Sequence, residues 1–387
     1  MTIATEAVAA APTKVLIVDD QRIVAEAVRR MLAPEGDLQL TWCGAASEAL
    51  ETARTLGPDV ILQDLVMPDA DGLDLVDAFR ADPATSSVPL IVLSSKEEAA
   101  VKAESFARGA ADYLVKLPDR IELVARIRHH AAGHRARRER DAAYAALRGE
   151  LDNAAAYVTS LLPPPMDGPI SAAWSFKASS SLGGDALGFH WLDREHFAVY
   201  VVDVCGHGVG AALLSVSVLN VLNAQTLPGV DFRHPDQVLA ALNATFPMER
   251  QHGQFFTIWY GVYHAPERRL EYAAAAHPAA ILIAPGEAPV TLGQPNLPIG
   301  VLDGMEYGVL SADVAPGSRL VVISDGAFEV ALPDGRAYTY AEFVDLAAGA
   351  PGATPGERAD AIISAVQRVS GRPDFDDDCT LLELVIA

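Results

Sequence analysis

The 387-residue chain is poor in cysteine, with 3 residues at Cys43, Cys205 and Cys379. That odd, scattered set excludes a disulfide framework, shows no zinc-ligand spacing and suits a reducing compartment. Basic residues are also scarce. Lys and Arg number 29 against 51 Asp and Glu, a formal net charge of −22. Broad nucleic-acid binding needs a basic face, so no nucleic-acid partner is expected. No run approaches the roughly 20 apolar residues of a membrane span. The N-terminal stretch MTIATEAVAAAPTK lacks the basic segment of a signal peptide, and residues 1–13 read as a disordered tail. A cytoplasmic protein without a membrane partner is the expectation.

Half of the residues are apolar and 21% are charged, a globular balance. The length calls for more than one domain. The stretch most loaded with chemistry is Ala198–Leu214, AVYVVDVCGHGVGAALL. An apolar strand ends at Asp203, a turn with Gly206, His207 and Gly208 follows, and a helical pattern begins at Ala211. An acid there reads either as a helix cap or as a cation ligand. Three other stretches carry acids at the ends of apolar runs: LGGD at Leu182–Asp185, LVVISDGAFE at Leu320–Glu329, and FDDDCTLL at Phe375–Leu382. Several such acids far apart in sequence suit a hard cation such as Mg²⁺ or Mn²⁺. Cys205 and Cys379 lie inside these motifs and read as small packing residues.

Over residues 14–128, four apolar runs of strand length alternate with helical patterns. They are Lys14–Val18, Asp59–Leu62, Leu90–Leu93 and Asp112–Val115. This predicts a doubly wound α/β domain, flavodoxin-like, with function at the carboxyl ends of its strands. Those ends carry Asp19 and Asp20, Asp64, Ser94 and Lys116. Asp19 and Asp20 can hold Mg²⁺, and Asp64 can accept a phosphoryl group. Lys116 can pair with that phosphate and Ser94 can bond its oxygens.

These stretches, with LQDLVMPDADG around Asp64 and ADYLVKLPD around Lys116, resemble the CheY-like receiver domain of two-component response regulators. The resemblance implies that Asp64 is the phosphoacceptor and that Asp19, Asp20 and Asp64 surround Mg²⁺. It makes Ser94 the switch hydroxyl, Tyr113 the switch aromatic and Lys116 the phosphate-pairing lysine. A histidine kinase or phosphotransfer protein is the implied partner. One departure is Leu117, which stands where the family usually has a proline following a cis bond.

Residues 129–162 read as a helical linker. It opens with the basic run HHAAGHRARRER, a solvated face. Tyr144, Leu147, Leu151, Ala154, Val158 and Leu161 then follow heptad spacing, either a short coiled coil that joins two chains or an amphipathic face. Pro163-Pro164-Pro165 ends the helix.

From Pro163 onward, strand-like runs occur at Ala198–Val202, Phe255–Tyr263, Ala280–Ile283, Leu320–Ile323 and Leu381–Ile386. Helical patterns near Ala211–Leu222, Pro235–Phe246 and Thr354–Val369 segregate from them, so this region is α+β. The order of SLLPPP, LGGD, VVDVCGHGVGAALL, FFTIWYGVY, AAAAHPAAILI, NLPIGVL, SDGAFE and DDDCTLL resembles the PPM family. These are the metal-dependent type 2C Ser/Thr protein phosphatases, here of the SpoIIE-like branch that regulates sigma factors. The resemblance covers residues 160–387 and implies a β-sandwich flanked by helices over 163–387.

It further implies that Asp203 bridges two Mn²⁺ or Mg²⁺ ions and that the Val204 carbonyl is a backbone ligand. Asp325 and Asp377 complete the second ion's shell, and Asp185 serves the first ion partly through water. Asp203, Asp325 and Asp377 are then the catalytic acids. Asp377 is preferred to Asp378 because it precedes Thr380 by three positions. His207 reads as a residue of the turn and is not assigned to catalysis. Gly188 stands where many members carry a further acid, and AAAAHP stands for the usual NAGHP with Ala274 and Ala275 in its looser positions.

The implied whole is a regulator whose phosphorylation at Asp64 controls a phosphatase acting on phosphoserine or phosphothreonine. The implied substrate is a STAS-type anti-sigma-factor antagonist, and the implied assembly is a homodimer through the linker. The alternative is a phosphorylation-dependent binding adaptor on a degenerate phosphatase fold. A nucleotide cyclase, suggested by GGD at Gly183–Asp185 and by the linker sequence, is set aside because Ala186 and Leu187 follow it in place of Glu-Phe and no cyclase strand pattern surrounds them.

Overall fold

The structure, a computed structural model, describes residues 11–68, 70–95, 98–179 and 182–387. Two compact units divide the chain between Ala146 and Leu147. Of the tail read over 1–13, residues 1–10 lie outside the described residues, and Thr13 already opens the first strand.

The first unit alternates strand and helix. Its elements are β1 (Thr13–Val18), α1 (Arg22–Leu32), β2 (Leu38–Cys43), α2 (Ala46–Leu56), β3 (Val60–Asp64), α3 (Gly72–Ala81), β4 (Leu90–Ser94), α4 (Ala99–Ala107), β5 (Asp112–Val115) and α5 (Arg120–Ser160). The five strands are parallel in the order β2-β1-β3-β4-β5. Alternate residues of each strand feed opposite layers, as the two-residue strand period requires. Leu16, Val18, Ile61 and Val92 pack with Ala49, Ala53 and Phe79 of α2 and α3. Val15, Ile17, Leu62 and Leu93 pack with Val28, Leu32, Leu123 and Ile127 of α1 and α5. Burial on both faces is why these strands read as unbroken apolar runs. β2 escaped that reading. It is an edge strand whose sequence, LQLTWC, is half-exposed along most of its length.

The linker helix also starts earlier than its basic run, since α5 is continuous from Arg120. Leu123, Val124, Ile127, Ala131 and His134 are buried along its first part. Further on, Tyr144 and Leu147 are 66% and 57% exposed.

The second unit holds two five-stranded antiparallel sheets. One has the order β13-β10-β9-β8-β7, the other β12-β11-β14-β15-β6. Their strands are β6 (Ile170–Lys177), β7 (Ala186–Trp191), β8 (His196–Val204), β9 (Phe256–His264), β10 (Arg269–Ala275), β11 (Ala280–Ile283), β12 (Val290–Leu292), β13 (Leu310–Asp313), β14 (Ser318–Ile323) and β15 (Cys379–Ile386). The helices are α6 (Val209–Asn223), α7 (Pro235–Thr245), α8 (Tyr340–Ala348) and α9 (Pro355–Ser370).

Leu320, Val322, Leu382 and Leu384 share a core with Val199, Val201 and Trp259 of the other sheet. The intervening residues Val321, Ile323 and Leu381 turn outward to Phe343 of α8 and to Ile362 and Val366 of α9. α6 and α7 lie against the first sheet, so the layers run helix, sheet, sheet, helix. This is a β-sandwich flanked by helices. α8 and α9 each open with a Thr-x-x-Glu capping box, at Thr339/Glu342 and Thr354/Glu357, which satisfies the first free N–H groups of each helix. Fully buried Glu383 on β15 receives Arg319 at 2.8 Å and Arg358 at 2.6 Å, tying α9 to the sheet.

Two candidate acidic sites

In the first unit, four strand ends converge. Asp19 follows β1, Asp64 ends β3, Ser94 ends β4 and Lys116 follows β5. One oxygen from each of Asp19, Asp20 and Asp64 lies within 4.8 Å of the others. Lys116 Nζ stands 2.7 Å from Asp19 Oδ2 and 2.6 Å from Asp64 Oδ2. Backbone N–H groups hold the remaining oxygens: Gln21 donates to Asp19 Oδ1 at 2.9 Å and Val66 to Asp64 Oδ1 at 3.1 Å. Burial raises the Asp19 pKa above the ordinary aspartate value, against the pull of Lys116. Burial also opposes the charge on Lys116, but its bonds to Asp19 and Asp64 prevail and raise its pKa. Asp20 Oδ1 is shielded from solvent and has no hydrogen-bond partner. That orphaned oxygen beside two further carboxylates fits an oxygen-preferring cation such as Mg²⁺.

Ser94 is fully buried, and its carbonyl accepts the Lys116 N–H at 3.0 Å. Tyr113 is 8% exposed, with the Lys102 ammonium 5.3 Å from its ring centre. The Lys116–Leu117 peptide is cis.

In the second unit the acids gather at one end of the sandwich. Asp203 is near the end of β8, and Asp185 precedes its antiparallel neighbour β7. Asp325 follows β14, and Asp377 and Asp378 precede β15, again neighbours. Two turns lock together there. Gly208 N–H donates to the Leu182 carbonyl at 3.0 Å. A Cβ on Gly184 would lie 2.8 Å from the Val204 oxygen, so only glycine lets the LGGD turn approach that carbonyl. Gly206 and Gly208 both have φ near +91°.

The acids divide by role. Both oxygens of Asp378 are engaged, one by the Ser179 N–H and hydroxyl at 2.8 and 3.0 Å, the other by the Gly184 N–H at 2.6 Å. Asp378 is therefore a brace for the LGGD turn. Asp377 is exposed, and one of its oxygens accepts only the N–H of its own neighbour Asp378, at 2.8 Å. Asp185 is buried. Thr380 Oγ1 donates to its Oδ2 at 2.6 Å, whereas Oδ1 has no partner. Burial, then Asp203, drives the Asp185 pKa well above the ordinary value. Burial, then Asp325 and Asp377, raises Asp203 to about 7. Burial and Asp377 raise Asp325 to about 6. Like charges held in a partly dry site disfavour one another's ionisation. A divalent cation removes that penalty, and the orphaned Asp185 Oδ1 offers it a ligand. These oxygens are more widely spaced than those around Asp64. Among the described residues, only the Asp19 group brings three such ligands within 4.8 Å.

Several features lay beyond sequence reading. Thr257 faces Asp203 in the cross-strand register, and its hydroxyl is 2.7 Å from Nδ1 of His277. Burial pushes His277 down to about 3, so the imidazole is neutral at working pH. Gly188 is explained by packing. The Tyr200 ring covers the place a Cβ would take, and Tyr200 donates to Asn223 at 2.5 Å. Cys205 is exposed, which overturns its reading as a packing residue, while Cys379 is buried.

The profile of stage II sporulation protein E (SpoIIE) matches residues 193–386, and that of the response regulator receiver domain matches residues 15–128. The chain belongs to the SpoIIE family. Phosphoserine phosphatase RsbP of Bacillus subtilis is 24% identical over 228 residues, 58% of this chain and 54% of RsbP. The DNA-binding response regulator MtrA of Mycolicibacterium smegmatis is 36% identical over 115 residues, 30% of this chain and 49% of MtrA. The chain thus spans about half the length of the curated relatives it matches. Among solved structures, the PP2C domain of SiaA from Pseudomonas aeruginosa aligns with a TM-score of 0.56 at 20% identity, covering 64% of this chain and 99% of that one. That likeness shows the PP2C fold. The SpoIIE-family member therefore joins a receiver domain to a domain of PP2C fold.

Proposed function

We propose that this SpoIIE-family protein is a response regulator in which phosphorylation of Asp64 controls a metal-dependent protein serine/threonine phosphatase. The observation that carries the reading is the set Asp185, Asp203, Asp325 and Asp377, gathered at one end of a PP2C-type sandwich where burial and mutual repulsion raise Asp185, Asp203 and Asp325. Asp185, Asp203, Asp325, Asp377 and the Val204 carbonyl would hold two Mn²⁺ or Mg²⁺ ions. Such ions supply an acidified water and neutralise phosphoryl oxygens. Thr380 fixes the rotamer of Asp185, and Asp378 keeps the glycine turn against the Val204 carbonyl.

In the receiver, a histidine kinase or phosphotransfer protein supplies the phosphoryl group. Asp64 Oδ would form the new oxygen–phosphorus bond as the donor's phosphorus–nitrogen bond breaks and its imidazole leaves; Asp19 and Asp20 would hold Mg²⁺, which would neutralise phosphoryl oxygens, and Lys116 would pass from ion pair to phosphate contact. Ser94 and Tyr113 report the change. The exposed side chains at Tyr144 and Leu147 are the start of the seam through which two copies pair. The substrate is a phosphoserine or phosphothreonine on a STAS-type antagonist of an anti-sigma factor, a reading supported by the family match.

The test is hydrolysis of p-nitrophenyl phosphate and of a phosphorylated STAS protein with Mn²⁺. Wild type is compared with Asp203→Asn, with and without beryllofluoride on Asp64. Metal-dependent turnover that Asp203→Asn removes and beryllofluoride changes is the expected result. Mn²⁺-independent turnover would overturn the metal-dependent reading, and none on either substrate would leave the adaptor reading in its place.

A further inference from the structure

A cavity of about 380 Å³ opens in the receiver unit at the end of the sheet opposite Asp64. Its walls include Val88 and Pro89 before β4, Ala111 before β5, and the α5 face that carries His129, His130, His134 and Arg137. In a chain of net charge −22 this is a concentration of cationic and proton-accepting side chains. Arg80 also lines it, but its guanidinium is already bonded to the carbonyls of Gly109, Ser86 and Val88 at 2.8–2.9 Å. Arg137 differs, having no ion-pair partner among the described residues, whereas Arg135 two positions earlier is paired to Asp59 at 2.7 Å.

His134 supplies the second observation. It is 6% exposed, and neither ring nitrogen has a hydrogen-bond partner. Burial, together with the nearby Arg138 and Arg137, lowers its pKa, so the ring is neutral and offers one donor and one acceptor. Buried polar groups in folded proteins are nearly always paired, and an orphaned pair of nitrogens beside a cavity marks a missing partner. Ser86 and Ser87 line the same space. The volume exceeds that of a bare inorganic anion and falls in the range of small-molecule sites.

We propose that this cavity binds a small phosphomonoester, with its phosphate against Arg137, His129 and the serine hydroxyls, and its organic part toward His134. Guanidinium and hydroxyl donors recognise phosphate oxygens in this way, and a neutral imidazole suits a sugar hydroxyl. Such a site is separate from both acidic centres and requires no metal.

Calorimetric titration of the full chain in EDTA tests this, because chelation silences both acidic sites. The probes are AMP, ribose 5-phosphate and adenosine. AMP binding with a Kd below about 1 mM, with adenosine inert, is expected. Ribose 5-phosphate binding as well as AMP identifies the sugar phosphate as the recognised unit, and binding of AMP alone adds the base. Arg137→Ala and His129→Ala, both at exposed positions, are each expected to weaken binding about tenfold. Equal binding of adenosine, no binding of either phosphate, or affinities unchanged in both variants would overturn the proposal.

Discussion

The molecule contains two clusters of aspartates built on different electrostatic plans. Around Asp64 the chain brings its own cation. Lys116 contacts Asp19 and Asp64 at 2.7 and 2.6 Å, so those acids are partly compensated before any ion arrives. Around Asp203 the acids press on one another, and Asp203 and Asp325 rise to about 7 and 6. The difference is the one that the two proposed chemistries call for. A phosphoacceptor must stay an ionised nucleophile and then share its new charge with a lysine. A metal-dependent hydrolase keeps its acids poised for cations that must themselves stay free to polarise water and phosphate.

Deleting one acid sharpens the contrast most. Asp203→Asn is expected to lower hydrolysis by about 10³-fold or more, a loss of some 4 kcal/mol of transition-state stabilisation. Phosphorylation of Asp64, followed on a phosphate-affinity gel, should be unchanged. The next largest effect is at the partner of Asp185, a proposed metal ligand. Thr380→Val removes the donor to Asp185 and is expected to weaken the apparent Mn²⁺ affinity by about 10–100-fold. It should leave the receiver's Mg²⁺ dependence intact, which Mn²⁺ and Mg²⁺ titrations of the two activities would check.

A third prediction concerns pH. The Asp203 pKa rises on folding from 3.8 to about 7, so its ionised form opposes folding. Its contribution is fully favourable below about pH 4 and is lost as pH rises through 7. With EDTA, the thermal midpoint of the second unit is expected to be higher at pH 6 than at pH 8. With Mn²⁺ present that order should shrink or reverse, because cation binding favours the carboxylate. Scanning calorimetry at the two pH values, with and without metal, reads this directly.

The smallest effect lies beside the site. Ala276 has φ of +52°, a conformation that favours glycine. Ala276→Gly is expected to stabilise the second unit by about 1 kcal/mol, raising its midpoint by roughly 2–4 °C.

What the sequence revealed follows from where each signal lived. The strand ends Asp19, Asp64, Asp203 and Asp325 were legible because each closes a buried apolar run. The motif order also carried the family, which the SpoIIE match bears out. β2 was hidden because an edge strand does not need an unbroken apolar run, and LQLTWC alternates weakly. The division between Asp377 and Asp378 rested on counting to Thr380. The structure adds what the count could not contain, that both Asp378 oxygens are taken by Ser179 and Gly184. Gly188 looked like a lost ligand, and only the cross-strand pairing with Tyr200 shows the packing that requires it. His277 was visible as part of a motif, but its bond to Thr257 depends on two strands meeting.

The most direct test of the contrast is proton release on metal binding. The Asp64→Asn chain, its receiver site blunted, would be titrated with Mn²⁺ at pH 6.5 in buffers of different ionisation enthalpy. The account predicts that binding expels protons held by the Asp203 cluster and that Asp203→Asn reduces this release. Tight Mn²⁺ binding without proton release, or release unaffected by Asp203→Asn, would contradict it.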